Sequence, residues 1–382
     1  MIFANVSDYR EQARRRLPRF LFDYIDGGAF SETTLRSNVE DLSRLRIRQN
    51  VLRDVSALSL ETELLGQKFA MPVGLAPIGL AGLTARRGEV QAARAAHKAG
   101  VPFTLSTVSA CTCEEVAKGA PNPFWFQLYV IKDRGFMRDM LARAKAAGAS
   151  ALFLTVDMPV PGTRYRDMRS GLSGGGPMQR RLMRLMQASV KPRWSWDVGL
   201  LGGPHTLGHV SSVLGKSAGV EEFWAWMGAN FDASVTWKDL EAIRSQWSGP
   251  LVVKGILTAD DARSAIAAGA NGVVVSNHGG RQLDGARSSI SALPPIADAI
   301  GGKATVFMDG GVRTGLDVVR ALASGANGVL LGRAWVYGLA ARGEHGVSEI
   351  LRIIASEMRT ALALSGHSRI ADVGRHTLDL DD

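Results

Sequence analysis

The sequence predicts a parallel α/β fold, a (β/α)8 TIM barrel with N-terminal helices and a long insertion after its fourth strand. Three observations predict it. From residue 70 onward, short apolar runs alternate with amphipathic helical stretches and Gly turns, and eight such runs can be counted. One of them, Val273-Val274-Val275, is three β-branched residues in a row, which suits a strand buried on both faces. The last two runs end in turns bearing Gly and Arg, where barrels commonly hold phosphate. A doubly wound open sheet is the alternative; the strand count and the phosphate-like turns favour the barrel. The whole chain, 1–382, reads as one domain with an insertion at about 168–230.

Residues 7–28 read as a helix broken once. Ser7 caps the first piece, Pro18 opens a second from Phe20 to Ile25, and Gly27-Gly28 ends it. Tyr24, just before that stop, fits an ordinary amphipathic core position. Val73–Pro77 is the first strand, followed by a helix over Glu89–Ala99. Phe103–Ser106 is the second, with a short helix near Glu114. Trp125–Tyr129 is the third, with a helix over Gly135–Ala147, and Ala151–Val156 is the fourth. Leu251–Lys254 is the fifth, with a helix over Ala259–Ala268. Gly272–Ser276, Ala304–Met308 and Gly328–Leu331 complete the set, and helical stretches near 335–342 and 346–364 close the chain.

The insertion differs in composition. Between Met168 and Trp196 it has six basic residues (Arg169, Arg180, Arg181, Arg184, Lys191, Arg193) and no acidic one. Leu182, Met183, Leu185, Met186, Trp194 and Trp196 are interleaved. Two readings stand: an active-site lid, in part disordered, or an attachment to an anionic membrane. Barrel topology places it on the face where the strands end.

A hydrophobic content of 46% against 21% charged residues gives a globular chain ample core material. The net charge of +9 calls for an anionic partner without choosing among nucleic acid, acidic lipid, phosphate and carboxylate. No zinc-finger or RNP motif is present, which counts against a nucleic-acid binder. Cys111 and Cys113 are spaced for neither a zinc ribbon nor a redox pair and read as ordinary thiols; no metal site is expected. No apolar run can span a bilayer, and Asp8 and Glu11 sit where a signal peptide would be apolar. The expectation is a cytoplasmic protein that can still lie on a membrane surface.

The strand ends offer chemistry in turn. The first ends in Ala76-Pro77-Ile78-Gly79, small enough for a flat ring to approach. The second offers Ser106, the third Gln127 and Tyr129, the fourth Thr155 and Asp157, the fifth Lys254, and the sixth Ser276, His278 and Arg281. The seventh and eighth run into Asp309-Gly310-Gly311-Val312-Arg313 and Gly332-Arg333. Taken singly, His278 could be a satisfied core histidine, and the arginines surface residues on tight turns. Polar groups at six successive ends of a closed barrel are hard to explain as packing, because buried charges need partners.

The string Ser276-Asn277-His278-Gly279-Gly280-Arg281-Gln282-Leu283-Asp284 resembles the active-site signature of the FMN-dependent α-hydroxy-acid dehydrogenases and oxidases. The resemblance runs from Tyr24 to the last helix. Ala85–Glu89, Leu105–Ser109, Asp133–Phe136 and Thr155–Pro159 resemble the bacterial respiratory, quinone-linked L-lactate dehydrogenases. It implies FMN as cofactor, with Pro77, Ile78, Gly79, Ser106, Gln127, Thr155, Lys254 and Ser276 at the flavin. Asp309, Gly310, Gly311, Arg313, Gly332 and Arg333 would hold the ribityl-phosphate end. Tyr24, Tyr129, Arg164 and Arg281 would bind substrate, with His278 as base and Asp157 as its partner. Tyr129, Lys254 and Arg281 count with these two as catalytic. The implied reaction is oxidation of L-lactate to pyruvate, with electrons passed to quinone. Mandelate, glycolate or another 2-hydroxy acid, or oxygen as acceptor, remain open. Gly79 resembles the dehydrogenase branch. No haem-binding stretch precedes the barrel, so no fused cytochrome domain is expected. The resemblance further implies a homo-oligomer, a tetramer by analogy, lying peripherally on the cytoplasmic face of the inner membrane.

Overall fold

The structure is a computed structural model that describes residues 2–120, 123–202, 208–215 and 220–379. Eight parallel strands form its centre: β1 (Val73–Leu75), β2 (Thr104–Ser106), β3 (Trp125–Tyr129), β4 (Ala151–Thr155), β5 (Leu251–Ile256), β6 (Gly272–Val275), β7 (Thr305–Asp309) and β8 (Gly328–Leu331). Their order is β1-β8-β7-β6-β5-β4-β3-β2. A parallel bridge between Leu75 and Phe103 brings the two end strands together, and the Leu75 N–H donates to the Pro102 carbonyl at 2.9 Å. The sheet is therefore a barrel and not an open doubly wound sheet.

Two strands differ from their expected bounds by two residues, and the others by no more than one at either end. β1 stops at Leu75: the Ala76 N–H makes the last ladder bond, to the Leu331 carbonyl of β8, and Pro77 has no N–H to offer. β5 runs on to Ile256 across an irregularity at Gly255. There φ is +110°, and a β-carbon would strike the Asp157 side chain.

The barrel interior is filled by rings. Trp125 stacks on Phe153 at 5.0 Å and meets Phe307 edge-on at 5.7 Å, with Ala76, Ala151, Val252, Val274 and Leu330 around them. The hairpin Thr62–Leu64 with Gln67–Phe69 adds Leu64 and Phe69 to this cluster. Its Phe69 ring meets Trp125 at 5.8 Å.

Helix α1 (Val6–Arg16) is capped by Asn5, not Ser7. The Asn5 side chain accepts from the Ser7 and Asp8 N–H groups, and Asp8 returns a bond to the Asn5 N–H. α2 (Arg19–Asp26) follows Pro18 as expected, while α3 (Thr33–Arg44) was not anticipated. The closing helical stretch, Arg333–Leu364, breaks at Arg342 and Gly343, consistent with the two pieces read from the sequence.

The described part of the insertion is largely helical. Residues 203–207 and 216–219, within the predicted 168–230, lie outside the described residues. Its Pro177–Ser189 helix buries no side chain, and Met178, Leu182, Leu185 and Met186 are exposed. The segment is nevertheless anchored. The Gln187 side chain accepts the Phe20 N–H at 2.8 Å and donates to the Ser170 carbonyl at 2.9 Å. Lys191 donates to the Arg15 carbonyl at 2.6 Å, and the Trp194 indole N–H to the Leu83 carbonyl at 2.9 Å. Among the described residues no helix is long and apolar enough to cross a membrane.

Because the interior is held by interlocking rings, Trp125→Ala should lower stability by about 3–5 kcal/mol. Urea denaturation of the two proteins measures this as a fall in midpoint.

Candidate active site

The loop after β6 is held from three sides. Asn277 and Asn38, on α3, exchange two side-chain amide bonds of 2.8 Å, and Asn277 Oδ1 also accepts the Gly280 N–H at 3.0 Å. Gln282 donates to the Asp157 and Val160 carbonyls at 2.9 and 3.0 Å, tying this loop to the one after β4. Asp284 accepts the Ser31 and Thr34 N–H groups at 3.1 and 2.8 Å, at the start of α3. Gly280 has φ +72° and lies where a β-carbon would meet the Leu35 backbone. Over-determined in this way, the loop holds His278 at φ +58°, a conformation uncommon outside glycine.

That strain aims the imidazole at Asp157, with 3.0 Å between Nδ1 and Oδ1. Burial works to raise the Asp157 carboxyl, but the His278 charge and hydrogen bond, with Lys254, outweigh it and hold it below the usual range. Burial lowers His278; Asp157 opposes this, and Lys254 adds to it. The pair thus rests as carboxylate and neutral imidazole, with Nδ1–H donating to Asp157 and Nε2 carrying the free lone pair. Lys254 sits between Asp309 Oδ2 at 3.0 Å and Ser276 Oγ at 2.8 Å. Burial pulls its ammonium down, but Asp309 and Asp157 outweigh this, so it stays charged.

The second group is cationic. Arg281 donates through Nη1 to the Tyr24 and Gly27 carbonyls at 2.6 and 2.8 Å and lies 5.1 Å over the Tyr24 ring. Burial, with the charges of Arg164 and Arg333, pushes it down to about 9, still protonated at neutral pH. Arg164 reaches Asp167 Oδ2 at 3.6 Å. Asp167 is buried, and burial raises its carboxyl. Crowded guanidinium groups of this kind favour an anion between them. Tyr24 donates its hydroxyl to the Gly79 carbonyl at 3.2 Å. Tyr129 is buried, its hydroxyl pushed up by burial, and its ring meets Phe231 edge-on at 5.6 Å.

Apart from Asp157, both groups face one cavity of about 370 Å³, which also takes in Pro77, Ile78, Gly79, Asp309, Gly310, Gly311, Arg313, Gly332 and Arg333. Ser106, Gln127, Thr155 and Ser276 are buried at the strand ends and do not line it. The Gln127 oxygen accepts from Ser106 at 3.0 Å, which leaves its amide nitrogen buried without a partner. Thr155 Oγ1 and Asp309 Oδ1 are buried in the same condition. At the far end Gly310 and Gly311 both have positive φ, and a β-carbon on Gly311 would run into the Asn38 carbonyl. Arg333 donates to the Gly27 and Gly279 carbonyls at 2.7 and 2.9 Å, and burial pushes it down to about 10. Unmet polar atoms beside a smooth Ala-Pro-Ile-Gly wall, leading to an arginine- and glycine-lined end, fit a flat cofactor with a phosphate tail.

The structure brings every residue named from the sequence to this face and adds some that were not. Asn38 and Asp167 are two. Asp26 is a third, a buried carboxylate bonded to Arg10, Arg166 and the Tyr337 hydroxyl. Nothing local marks Asn38 in the sequence; the arginines around Asp26 lie far apart in the chain. Leu172, Phe223, Met227 and Phe231, from the two ends of the insertion, also line the cavity.

A family model described as FMN-dependent dehydrogenase matches residues 13–380. The chain is 59% identical over 382 residues to an L-lactate dehydrogenase of Caulobacter sp. (strain K31), covering 100% of both. It is 60% identical over 378 residues to an L-lactate dehydrogenase of Stenotrophomonas maltophilia (strain R551-3), covering 99% of each. Among solved structures, the monotopic membrane protein (S)-mandelate dehydrogenase superposes with a TM-score of 0.93 at 38% identity, covering both chains fully. A soluble mutant of the membrane-associated (S)-mandelate dehydrogenase from Pseudomonas putida gives 0.85 at 37%, again over both full chains.

Since Asn277 is buried and depends on Asn38 for two bonds, Asn38→Leu should cost about 1–3 kcal/mol. Thermal unfolding of wild type and variant reads the loss.

Proposed function

The chain belongs to the FMN-dependent dehydrogenase family, and on that premise we propose that it oxidises L-lactate to pyruvate and passes the electrons to a membrane quinone. The reaction class rests on one observation, the neutral His278 held by Asp157 in the cavity that Arg281 and Arg164 also face. The choice of lactate rests on the full-length likeness to L-lactate dehydrogenases. A second reading, an aromatic 2-hydroxy acid, is favoured by the (S)-mandelate dehydrogenase superposition.

A 2-hydroxy acid gives up two electrons and two protons on becoming a 2-oxo acid. Bound FMN supplies the acceptor for the electron pair. Gln127, Thr155 and Lys254 would hold its ring edge, the wall Pro77–Gly79 its face, and Gly310, Gly311, Arg313 and Arg333 its phosphate. Arg281 and Arg164 bind the substrate carboxylate, and the Tyr24 and Tyr129 hydroxyls orient the rest. Nε2 of His278 takes one substrate proton, and Asp157 stabilises the resulting imidazolium. The Lys254 ammonium offsets negative charge that develops beside it.

Related structures are of monotopic, membrane-associated enzymes. Here the insertion offers an exposed apolar face with basic residues and no span. These features support peripheral attachment to an anionic membrane; the cytoplasmic face of the inner membrane is proposed by family analogy. A single catalytic domain assembled as a homotetramer completes the proposal, by family analogy.

Holoenzyme mixed anaerobically with L-lactate should lose its flavin absorbance, and lactate should exceed glycolate and mandelate in kcat/KM. A larger value for mandelate would favour the second reading. His278→Ala should keep the flavin and slow its reduction by about 10²–10⁴-fold or more. In the wild type, kcat/KM needs the unprotonated imidazole. Since burial lowers His278, activity should persist below the ordinary histidine value of about 6.5 and fall only as pH drops through the lowered one.

For the membrane, replacing the exposed Met178, Leu182, Leu185 and Met186 by Ser should reduce sedimentation with anionic vesicles while dye-linked lactate oxidation survives. Undiminished vesicle binding would remove this helix as the anchor. Loss of dye-linked activity with binding intact would point to a lid.

A further inference from the structure

The cavity that would hold the cofactor and the 2-hydroxy acid also has an apolar outer wall. Beyond the groups that face the substrate, its outer wall is built by Met158, Met168, Leu172, Phe223, Met227 and Phe231. Leu172, Phe223, Met227 and Phe231 are buried, while Met168 is 48% exposed and marks the rim. All but Met158 come from the insertion or its far boundary. Phe231 is pinned by an antiparallel bridge to Ile131, just beyond β3, and its ring meets Tyr129.

The wall adjoins the helix that carries the apolar outer surface. A β-carbon placed on Gly171 would lie 3.3 Å from the Met183 β-carbon, so the backbone beside Leu172 packs directly on the Pro177–Ser189 helix. Gln187 of that helix bonds the Ser170 carbonyl at 2.9 Å. One short segment thus turns Leu172 inward to the cavity and seats a helix that shows Met178, Leu182, Leu185 and Met186 to the outside. A ligand dissolved in lipid would meet apolar side chains from the helix surface to the cavity.

We propose that this outer apolar wall is the port and binding site of a lipid-soluble quinone, which enters the cavity after the 2-oxo acid has left. The proposal rests on the reading of the preceding subsection. The reaction balances as hydroxy acid plus quinone giving oxo acid plus quinol. The acid loses two electrons and two protons, and the two quinone carbonyls gain them to become hydroxyls. One of those protons is the one held on His278. Sharing one cavity makes the two ligands bind in turn and exclude each other.

The test uses full-length holoenzyme with a short-chain ubiquinone. Anaerobic mixing with L-lactate bleaches the flavin; a second mixing with the quinone restores it. Leu172→Trp and, separately, Met227→Trp should leave bleaching within about twofold and slow the return by about tenfold or more, the scale on which pocket shape discriminates. A photoreactive azidoquinone, which needs no turnover, should label wild-type peptides covering 168–173 or 223–231, and excess unreactive quinone should protect them. Unchanged reoxidation in both variants, or labelling only elsewhere, would overturn the proposal. So would slowing of the lactate step as large as that of the quinone step, which would make the wall part of the substrate pocket. A wild type that lactate fails to bleach would defeat the lactate reading instead, and the labelling result would still judge the port.

Discussion

A chain of buried and half-buried polar groups underlies the arrangement of the site. Asp309 faces Lys254, Lys254 shares Ser276 Oγ with the His278 N–H, and His278 bonds Asp157. These residues come from or just beyond β7, β5, β6 and β4, so the chain links four strand ends across the barrel mouth. None of the charges would be tolerated there alone, since an unpaired ion in a protein interior shifts to its neutral form or costs several kcal/mol. Barrel geometry supplies the neighbours. The stacked rings of Trp125, Phe153 and Phe307 fill the interior and leave the open end to polar chemistry.

Much of this was legible in the chain. Eight apolar runs gave the strands, and the polar residues that follow them gave the site, because in a parallel barrel all eight strands end on one face. His278 and Arg281 stood out through the string around them. The supporting partners did not. Asn38 belongs to a helix that was not anticipated, and its role exists only once α3 is folded over the β6 loop. Asn5 displaced Ser7 as the cap of α1 because its side chain reaches two N–H groups and Asp8 completes the box, a choice between two good capping residues that spacing alone leaves open. The insertion read as a lid or a membrane contact. What the sequence did not show is that its Pro177–Ser189 helix is tied to α1 and α2 while remaining uncovered, an outcome that needs tertiary hydrogen bonds from Gln187 and Lys191.

Arginines carry two different duties here. Arg333 is buried and Arg281 half-buried, and both spend their donors largely on backbone carbonyls, with charges that neighbouring cations oppose. Arg10 and Arg166 are partly exposed and satisfy Asp26 and Asp23 beneath the same segment. The outer pair fixes the backbone on which the inner pair hangs, so the cationic character of the cavity depends on carboxylates that never face it.

The Gly27 carbonyl accepts from both Arg281 and Arg333, at 2.8 and 2.7 Å. In the function proposed above, one guanidinium would meet the substrate carboxylate and the other the cofactor's phosphate. A single backbone atom therefore joins two recognition events in one thermodynamic cycle. Whatever draws Arg333 into place also steadies the oxygen that orients Arg281, and linkage makes the effect mutual. On that reading, loading of the cofactor and grip on the substrate would be linked through the turn that follows α2.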